Sequence, residues 1–481
     1  MNFVLAQYRI QSHRSIRARY RYKMQISAVT NQPQGGAEAR SPIYVIFLAV
    51  VAAISGFLFG FDTAVINGVL LFLRRQFSLN NIETEVAASA LLLGCLLGAA
   101  GASLIGDRIG RRKSLLISAV LFAASTIAAA LASTVLIFSI GRLIGGLAIG
   151  LASVLTPVYI AEVAPARNRG RLVSLNQLAI VVGILIAYVV SWGLANLGET
   201  SWRWMLAVAA IPAVAFFIGL LFIPESPRWL ISNHRRDDGK RVLSRIYGPE
   251  QAEHQALLVE QAAAGEQGTW REVFAPSMRR PLIVAIGLAI LCQITGINTV
   301  LYYGSIIISE HVKGETASTA LMANVIIGLT NLICTLIAIR CLDRWGRRTM
   351  LLTGSAGMTI SLVLFAILYG ISGISPLVVL ACILCYTGFF AFALGPIPWV
   401  VISEIFPNKI RGRAASLATS TLWTSTLIVT FTFLTMIHAL GVTGTFGIYA
   451  VLCVVTFVFI WTMVPETKGK TLEQIQREWE A

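Results

Sequence analysis

The stretch LIGDRIGRRK (Leu104–Lys113) returns later in the chain, in shortened form, as CLDRWGRR (Cys341–Arg348). Each copy follows a long apolar run and places an acid, Asp107 or Asp343, beside several arginines. Asp343 lies 236 residues after Asp107 in a chain of 481 residues. A repeat at this distance predicts a duplicated architecture.

Two further pairs of segments repeat at nearly the same distance. YIAEVAPARNRGR, which begins at Tyr159, matches VISEIFPNKIRGR, which begins at Val401. PESPRWL, from Pro224, matches PETKGKTLE, from Pro465. These matches predict two halves of the same orientation, joined by a linker. Parallel halves of this kind are typical of transporters that hold a substrate near the middle of the membrane, between the halves.

The composition places the chain in a membrane. Hydrophobic residues make up 56% of the sequence and charged residues only 13%, whereas soluble domains carry about 25% charged residues. Twelve apolar runs are long enough to cross about 30 Å of hydrocarbon. They predict an all-α protein with twelve transmembrane helices in two six-helix halves.

The predicted spans are 43–73, 86–106, 114–132, 135–161, 172–194 and 203–223, then 281–309, 320–340, 350–371, 376–402, 414–438 and 442–464. The predicted domains are an N-terminal tail (1–42), a first half (43–223), a linker of short amphipathic helices (224–280), a second half (281–464) and a C-terminal tail (465–481).

The net charge of +15 follows the predicted topology and gives no reason to expect a nucleic-acid partner. With twelve spans, one side of the membrane holds both tails, the linker and nearly all of the 38 lysine and arginine residues. The opposite loops hold only Arg74, Arg75, Arg203 and Lys313. Because lysine and arginine concentrate in cytoplasmic loops, we expect both termini in the cytoplasm and the protein in the inner (plasma) membrane.

Two other features predict no additional chemistry. The first 37 residues contain no acid and have the composition of an organelle transit peptide; a true start at Met24 is the interpretation we favour. No spacing of the seven cysteines suits a secreted disulfide framework, and the CxxC of Cys382 and Cys385 lies inside an apolar span, where we expect no redox chemistry. We expect no cofactor.

These segments resemble the major facilitator superfamily and, within it, the sugar porter family. GDRIGRRK and LDRWGRR resemble the signature loops of the superfamily. GRLIGGLAIG, PESPRWL, QITGIN with YY following, GPIPW and PETKGKTLEQI resemble the motifs of sugar porters. The resemblance covers about residues 43–475 and implies a sugar transporter of the major facilitator fold.

The resemblance also implies gating networks at the cytoplasmic ends of the spans. Their members are Asp107, Arg111, Glu162 and Arg169 in the first half, and Asp343, Arg347, Glu404 and Arg411 in the second. Such contacts would form in the outward-facing state and break when the inner gate opens, and so bias a two-state equilibrium. The alternative is that these charges only anchor the loops in the cytoplasm.

Glycines and prolines mark close packing and a kink. GRLIGGLAIG spaces its glycines so that neighbouring helices can approach closely. Gly395, Pro396 and Pro398 interrupt span ten, where they predict a kink or a hinge. The sequence holds no GxxxxGK[ST] motif for ATP, so uphill transport would have to use an ion gradient.

The stretch GFLFGFDTAVING (Gly56–Gly68) places Asp62 inside an apolar span, where a charge costs about 2.5–3.5 kcal/mol unless it is partnered. Apart from Arg203, at the first position of the sixth predicted span, Asp62 and Arg142 are the only acid and base within the predicted spans of the first half, at depths that differ by roughly 6 Å. We predict that they pair and that Asp62 carries a proton, with Arg142 tuning it; a static ion pair is the alternative. The resemblance favours the first role, because proton-coupled sugar porters carry Asp at this position and facilitative relatives commonly carry Asn.

Amide and aromatic side chains within the spans predict a sugar site, because amides both donate and accept hydrogen bonds. The amides are Gln177, Gln293, Asn298 and Asn331; helix–helix hydrogen bonds are the alternative for each. The resemblance places sugar ligands at these positions and adds the aromatic residues Phe59, Tyr302, Trp399 and Trp423.

Two residues depart from the sugar porter pattern. Cys292 replaces the first of two glutamines, and Leu422 precedes Trp423 where an amide is common. The pocket therefore loses two polar contacts. A pentose, a deoxy sugar or a polyol would leave fewer groups unpaired there than glucose would.

We expect a monomeric proton symporter for a monosaccharide, a pentose or a hexose. A facilitative sugar or polyol uniporter is the alternative, and Asp62 discriminates because a uniporter needs no ionisable residue there. A sugar sensor on this fold would carry a long cytoplasmic signalling tail, whereas this chain ends about 17 residues after its last span. An enzyme is disfavoured because no nucleophile–base pair, metal cluster or cofactor motif occurs.

Overall fold

The computed structural model describes residues 40–165, 168–264, 269–311, 317–371, 375–407 and 409–468. All regular secondary structure in these ranges is helical, and the predicted all-α fold of twelve spans in two six-helix halves is confirmed, with two of the spans merged in one helix of 53 residues. Residues 1–39, which include Met24, and also Lys313 and residues 469–481 lie outside the described residues.

Spans 1 to 6 are Pro42–Gln76, Asn81–Ile109, Arg111–Ala130, Val135–Val163, Arg169–Gly193, and Ser201–Ala207 continued by Ala210–Phe222. Spans 7 to 10 are Arg279–Ile294 continued by Ile297–His311, Ala317–Trp345, Arg347–Tyr369, and Pro376–Phe392 continued by Ile397–Ile405. Spans 11 and 12 lie in Arg411–Met463, which is kinked at Gly441 (φ 70°). The break in span 10 contains Gly395 and Pro396, where the sequence predicts an interruption.

The two ends of the bundle differ in charge. The loops after spans 2, 4, 8 and 10 and the linker lie at one end, which we call the basic face; the opposite end is the far face. Most linker residues are helical, in Pro227–Ser232, Arg236–Tyr247, Pro249–Ala264 and Trp270–Val273. Ile231, Leu243, Ala252 and Ala256 form a small apolar core of the linker.

Close packing of spans 2 and 4 depends on the glycines of GRLIGGLAIG. A Cβ atom at Gly146 would lie 2.0 Å from the carbonyl oxygen of Leu91, so no larger residue fits without a shift of the backbone. The small-residue spacing therefore does what the sequence predicts: it lets two helix backbones approach. This packing brings Arg142 of span 4 towards span 1.

Candidate substrate and proton sites

Asp62 and Arg142 form an ion pair inside the first half. Their side chains are 3% exposed, and Nη1 of Arg142 lies 2.5 Å from Oδ1 of Asp62. Nη2 of Arg142 also lies 3.5 Å from the carbonyl oxygen of Asp62. The other carboxylate oxygen, Oδ2, and Nε of Arg142 are buried and make no hydrogen bond to any described residue.

Two aromatic side chains meet across the two halves. Phe59 of span 1 and Trp423 of span 11 have ring centroids 5.2 Å apart and an interplanar angle of 61°, an edge-to-face contact. The indole Nε1 of Trp423 is buried and has no hydrogen-bond acceptor among the described residues. It is a donor available to a polar ligand between the halves.

The break in span 7 brings two predicted amides together. Gly296 has φ 92°, a conformation that glycine adopts without strain, and it separates Ile294 from the helix that starts at Ile297. Across this break Asn298 donates from Nδ2 to Oε1 of Gln293. The contact leaves Nε2 of Gln293 and Oδ1 of Asn298 with further hydrogen-bonding capacity.

The remaining residues that were predicted to bind sugar make no common hydrogen-bonded group with Gln293 and Asn298 in the described part of the chain. Tyr302 and Asn331 are buried, while Gln177 and Trp399 are half-buried. Asn331 accepts a hydrogen bond of 3.4 Å from the hydroxyl of Thr335, one turn along its own helix. Within the described part of the chain, no hydrogen bond joins Gln177, Asn331 or Trp399 to the pair of span 7.

The two departures from the sugar porter pattern are both buried. Sγ of Cys292 lies 3.3 Å from the carbonyl oxygen of Ala289, and Nε2 of Gln293 is 3.5 Å from the same sulfur. Leu422 is 5% exposed. A weak thiol donor and a hydrocarbon therefore stand at the two positions where amides are expected.

Asn176 is a polar residue that the sequence analysis missed. Its Oδ1 atom is buried without a partner among the described residues. A Cβ atom at Gly56 would lie 2.5 Å from this oxygen, so glycine at 56 makes room for the amide. The sequence could have indicated this residue, because Asn176 directly precedes Gln177 in the same predicted span.

A polar cluster joins the halves towards the far face. Asn67 of span 1 donates to the carbonyl oxygen of Leu301 (3.0 Å) and to Oδ1 of Asn324 (3.2 Å), and accepts from the backbone N–H of Ser305 (2.9 Å). Tyr188 of span 5 donates to the same Leu301 carbonyl at 3.2 Å. These bonds hold spans 7 and 8 against the first half.

Glu85 corrects one sequence-based statement. Asp62 is not the only acid within the spans of the first half, because span 2 starts at Asn81 and Glu85 lies in its second turn, 1% exposed. Its two carboxylate oxygens accept hydrogen bonds from N and Oγ1 of Thr435, in the second half, at 2.8 and 2.7 Å. The predicted boundary at residue 86 fell one residue too late to include it.

On the basic face, Arg111 joins two acids of the first half. Its guanidinium lies 3.0 Å from Asp107 and 3.2 Å from Glu162. Glu225, which has no predicted role, accepts hydrogen bonds of 3.0 Å from the backbone N–H groups of both Arg111 and Arg112. The N-terminus of span 3 is thus capped by a carboxylate, which its dipole favours.

The second half repeats this arrangement. Nη2 of Arg347 lies 3.0 Å from Oε1 of Glu404, and Oε2 of Glu404 accepts from Thr467 at 2.6 Å. Glu466 accepts from the backbone N–H groups of Arg347 and Arg348 at 2.9 and 3.0 Å. The side chain of Asp343 is not among those described. Glu466 of PETKG thus caps the N-terminus of span 9, as Glu225 of PESPR caps that of span 3.

Arg169 and Arg411 differ from the expected networks. Arg169 is exposed in the first turn of span 5 and makes no ion pair with a described residue. Arg411 donates to the carbonyl oxygen of Phe406 at 3.1 and 3.2 Å instead of pairing with Glu404. The ion pairs of both networks therefore lie within one half each.

Comparison with known proteins agrees with this architecture. Residues 48–479 match the family model described as "Sugar (and other) transporter". The chain is 37% identical to the arabinose-proton symporter of Bacillus subtilis, over 91% of this chain and 95% of that protein. It is 38% identical to the glucose transport protein of Synechocystis, over 90% and 97% of the two chains. The solved structure of the xylose transporter XylE from E. coli, in a partially occluded inward-open conformation, superposes with a TM-score of 0.80 at 35% identity, over 89% of this chain and all of that one.

Proposed function

The chain belongs to the sugar transporter family of the major facilitator superfamily, and we propose that it imports a monosaccharide by proton symport through alternating access. The observation that carries the proposal is the buried ion pair of Asp62 and Arg142. A buried carboxylate with one cationic partner changes its proton affinity when that partner moves. Conformational change and protonation are then linked.

The sugar would bind between the halves. We propose that Gln293 and Asn298 supply hydrogen bonds and that Phe59 and Trp423 supply apolar ring surface to the C–H groups of the sugar. Gln177, Asn331, Tyr302 and Trp399 would complete the site as the halves close around the substrate. The thiol of Cys292 and the hydrocarbon of Leu422 favour a pentose, a deoxy sugar or a polyol, because a buried hydroxyl without a partner lowers affinity.

The facilitative uniporter is the second candidate. The close contact of Asp62 with Arg142 is also the geometry of a static ion pair, which would support a fold without carrying a proton. Transport against a gradient separates the two candidates. A uniporter only equilibrates its sugar.

We propose a monomer in the plasma membrane with the basic face in the cytoplasm, where lysine and arginine concentrate. The hydrogen bonds of Asn67, Tyr188 and Glu85 near the far face support a state that is closed on the outside. The gating role of the networks of Arg111 and Arg347 belongs to the same proposal.

The proposal is tested with purified protein in proteoliposomes. Counterflow of a panel of radiolabelled pentoses, hexoses, deoxy sugars and polyols identifies the substrate. An inward proton gradient should then drive accumulation of that substrate above its external concentration, and a protonophore should abolish it. Equilibration without accumulation would favour the uniporter, and no flux of any sugar would contradict transport.

A further inference from the structure

A small cavity lies beside the ion pair of Asp62 and Arg142. Its volume is about 10 Å³, and its lining includes Asp62, Leu91, Ser125, Thr126, Arg142 and Leu206. A cavity of this size is about the smallest that holds one water molecule. Its walls come from spans 1, 2, 3, 4 and 6, so it lies within the first half.

The polar atoms around this cavity match what one water needs. Of the residues that line it, Arg142 has a buried Nε–H donor and Asp62 has a buried acceptor, Oδ2; neither atom has a hydrogen-bond partner among the described residues. A buried charged group that lacks a hydrogen bond is costly. A single water that accepts from Nε–H and donates to Oδ2 would satisfy both atoms.

Span 3 supplies the third partner. The hydroxyls of Ser125 and Thr126 both donate to the carbonyl oxygen of Phe122, each at 2.8 Å. Their oxygen lone pairs are therefore free to accept. Gly145 makes room for this, because a Cβ atom there would lie 2.9 Å from Oγ of Ser125.

We propose that Ser125 and Thr126 hold one water molecule against Asp62 and Arg142, and that this water is part of the proton site. It would accept one hydrogen bond and donate two, and a buried water typically makes about three. When Asp62 is ionised, the water donates to Oδ2. When Oδ2 takes a proton, the new O–H donates to the water, which turns its own hydrogens towards the two hydroxyl oxygens.

This inference rests on the proposed proton role of Asp62 and assigns Ser125 and Thr126 as positioning residues. Without the water, the ionised carboxylate would lose a hydrogen bond that stabilises it more than the neutral acid. The midpoint for protonation of Asp62 would therefore rise. Besides Arg142, the titratable groups near Asp62 are the thiol of Cys95 on span 2 and the phenol of Tyr302 on span 7. Both are neutral donors at ordinary pH and neither lines the cavity.

The test follows the protonation of Asp62 directly, by difference infrared spectroscopy of the full-length protein in lipid. The carboxylic-acid band that is present in the wild type and absent in Asp62→Asn is titrated against pH. In the Ser125→Ala and Thr126→Val variants we expect its midpoint to rise by about half a unit to one unit, the size of one hydrogen bond. Ser118→Ala, which removes another buried hydroxyl two turns away on span 3, is the matched control and should leave the midpoint unchanged.

Two results would overturn the inference, and they differ. A wild-type midpoint in both cavity variants would show that the hydroxyls hold no water that Asp62 senses. The absence of any titrating band assigned to Asp62 in the wild type would contradict the proton role itself, and the water site would fall with it. A shift in the cavity variants, with none in Ser118→Ala, supports the site whatever sugar the protein carries.

Discussion

Glu85 of span 2 receives two hydrogen bonds from one residue of the other half, Thr435 of span 11. The carboxylate is buried and makes no ion pair with a described residue, so these bonds are its stabilising contacts. Hydrogen bonds to a charged group contribute about 1.5–3 kcal/mol. Opening of the far face would have to break them.

We therefore expect Thr435→Val to shift the protein towards a state that is open on the far face. The variant keeps the shape of the side chain and removes one of the two bonds, so a shift of about tenfold in population is expected. Spin labels at Leu197→Cys and Leu377→Cys, two exposed far-face positions in different halves, report the separation by pulsed electron resonance. The labelled proteins lack their native cysteines.

Thr432→Val is the control for this prediction. The hydroxyl of Thr432 lies on the same helix but donates to the carbonyl oxygen of Ile428, in its own helix. Its removal should leave the distance distribution as it is in the wild type. Equal distributions in Thr435→Val and Thr432→Val would refute the far-face contact as a gate.

The sequence predicted the fold almost completely and the contacts between elements only in part. Span number and duplication follow from apolar length and repeated loops, which are local properties. The repeat also marked Glu225 and Glu466 as equivalent, yet their capping of spans 3 and 9 required knowledge of where the chain folds back. The partners of Asn67 depend on the register between the two halves, which no local pattern encodes.

Glu404 and Arg169, two members of the predicted gating networks, should affect the opening of the basic face to different extents. Glu404 is bound to Arg347 and Thr467 in the present structure, whereas Arg169 makes no ion pair with any residue that the structure describes. If Arg169 pairs only when the basic face is closed, Arg169→Ala destabilises that state alone. We expect it to shift the equilibrium towards the state open on the basic face by about 1–3 kcal/mol.

Glu404→Gln should shift the same equilibrium less, because it removes contacts that already exist in this structure. Spin labels at Lys113→Cys and Thr349→Cys, at the starts of spans 3 and 9, report the opening of the basic face. Arg171→Ala, two residues along the same exposed turn, is the matched control. A wild-type distance distribution in Arg169→Ala would contradict the gating role of this residue.

The amides of span 7 carry a prediction for substrate binding. If these amides bind the sugar as proposed, Asn298→Ala or Gln293→Ala should raise the apparent Km for uptake at least tenfold, since each would remove a hydrogen bond to the sugar and leave its partner amide unpaired. Thr299→Val, which removes a buried hydroxyl bonded to the carbonyl oxygen of Gly296, controls for damage to the break in span 7. Unchanged affinity in both amide variants, with normal membrane insertion, would show that the sugar binds elsewhere.

Cys292→Gln tests the prediction that Cys292 restricts which sugars the protein selects. The longer amide would stand beside Gln293, whose Nε2 already lies 3.5 Å from the sulfur. We expect selectivity to broaden towards hexoses with more hydroxyl groups, because the variant restores a donor and an acceptor. The measurement is competition of a sugar panel against the labelled substrate, and an unchanged ranking would count against a role of Cys292 in selectivity.

Asp62→Asn tests the coupling of sugar transport to protons most directly. Asparagine keeps the size of the side chain and can still accept a hydrogen bond from Arg142, so it mimics the protonated acid and fixes one charge state. The variant should lose accumulation against a gradient but retain sugar binding and exchange. Wild-type uptake should fall as the external pH rises, because the empty site no longer loads its proton, and exchange by the variant should be insensitive to pH over the same range.

A static ion pair predicts a different outcome for the same variant. Arg142 would then be left as a buried cation without its counter-charge, which destabilises a protein by about 3–5 kcal/mol. Protein yield and sugar binding would drop together, and pH would affect the wild type and the variant alike. If Asp62→Asn instead folds and still concentrates sugar in response to an imposed proton gradient, Asp62 is not the coupling site. The proton must then bind at another acid, and Glu85, buried between the halves without a cation among the described residues, would be the next to replace by glutamine.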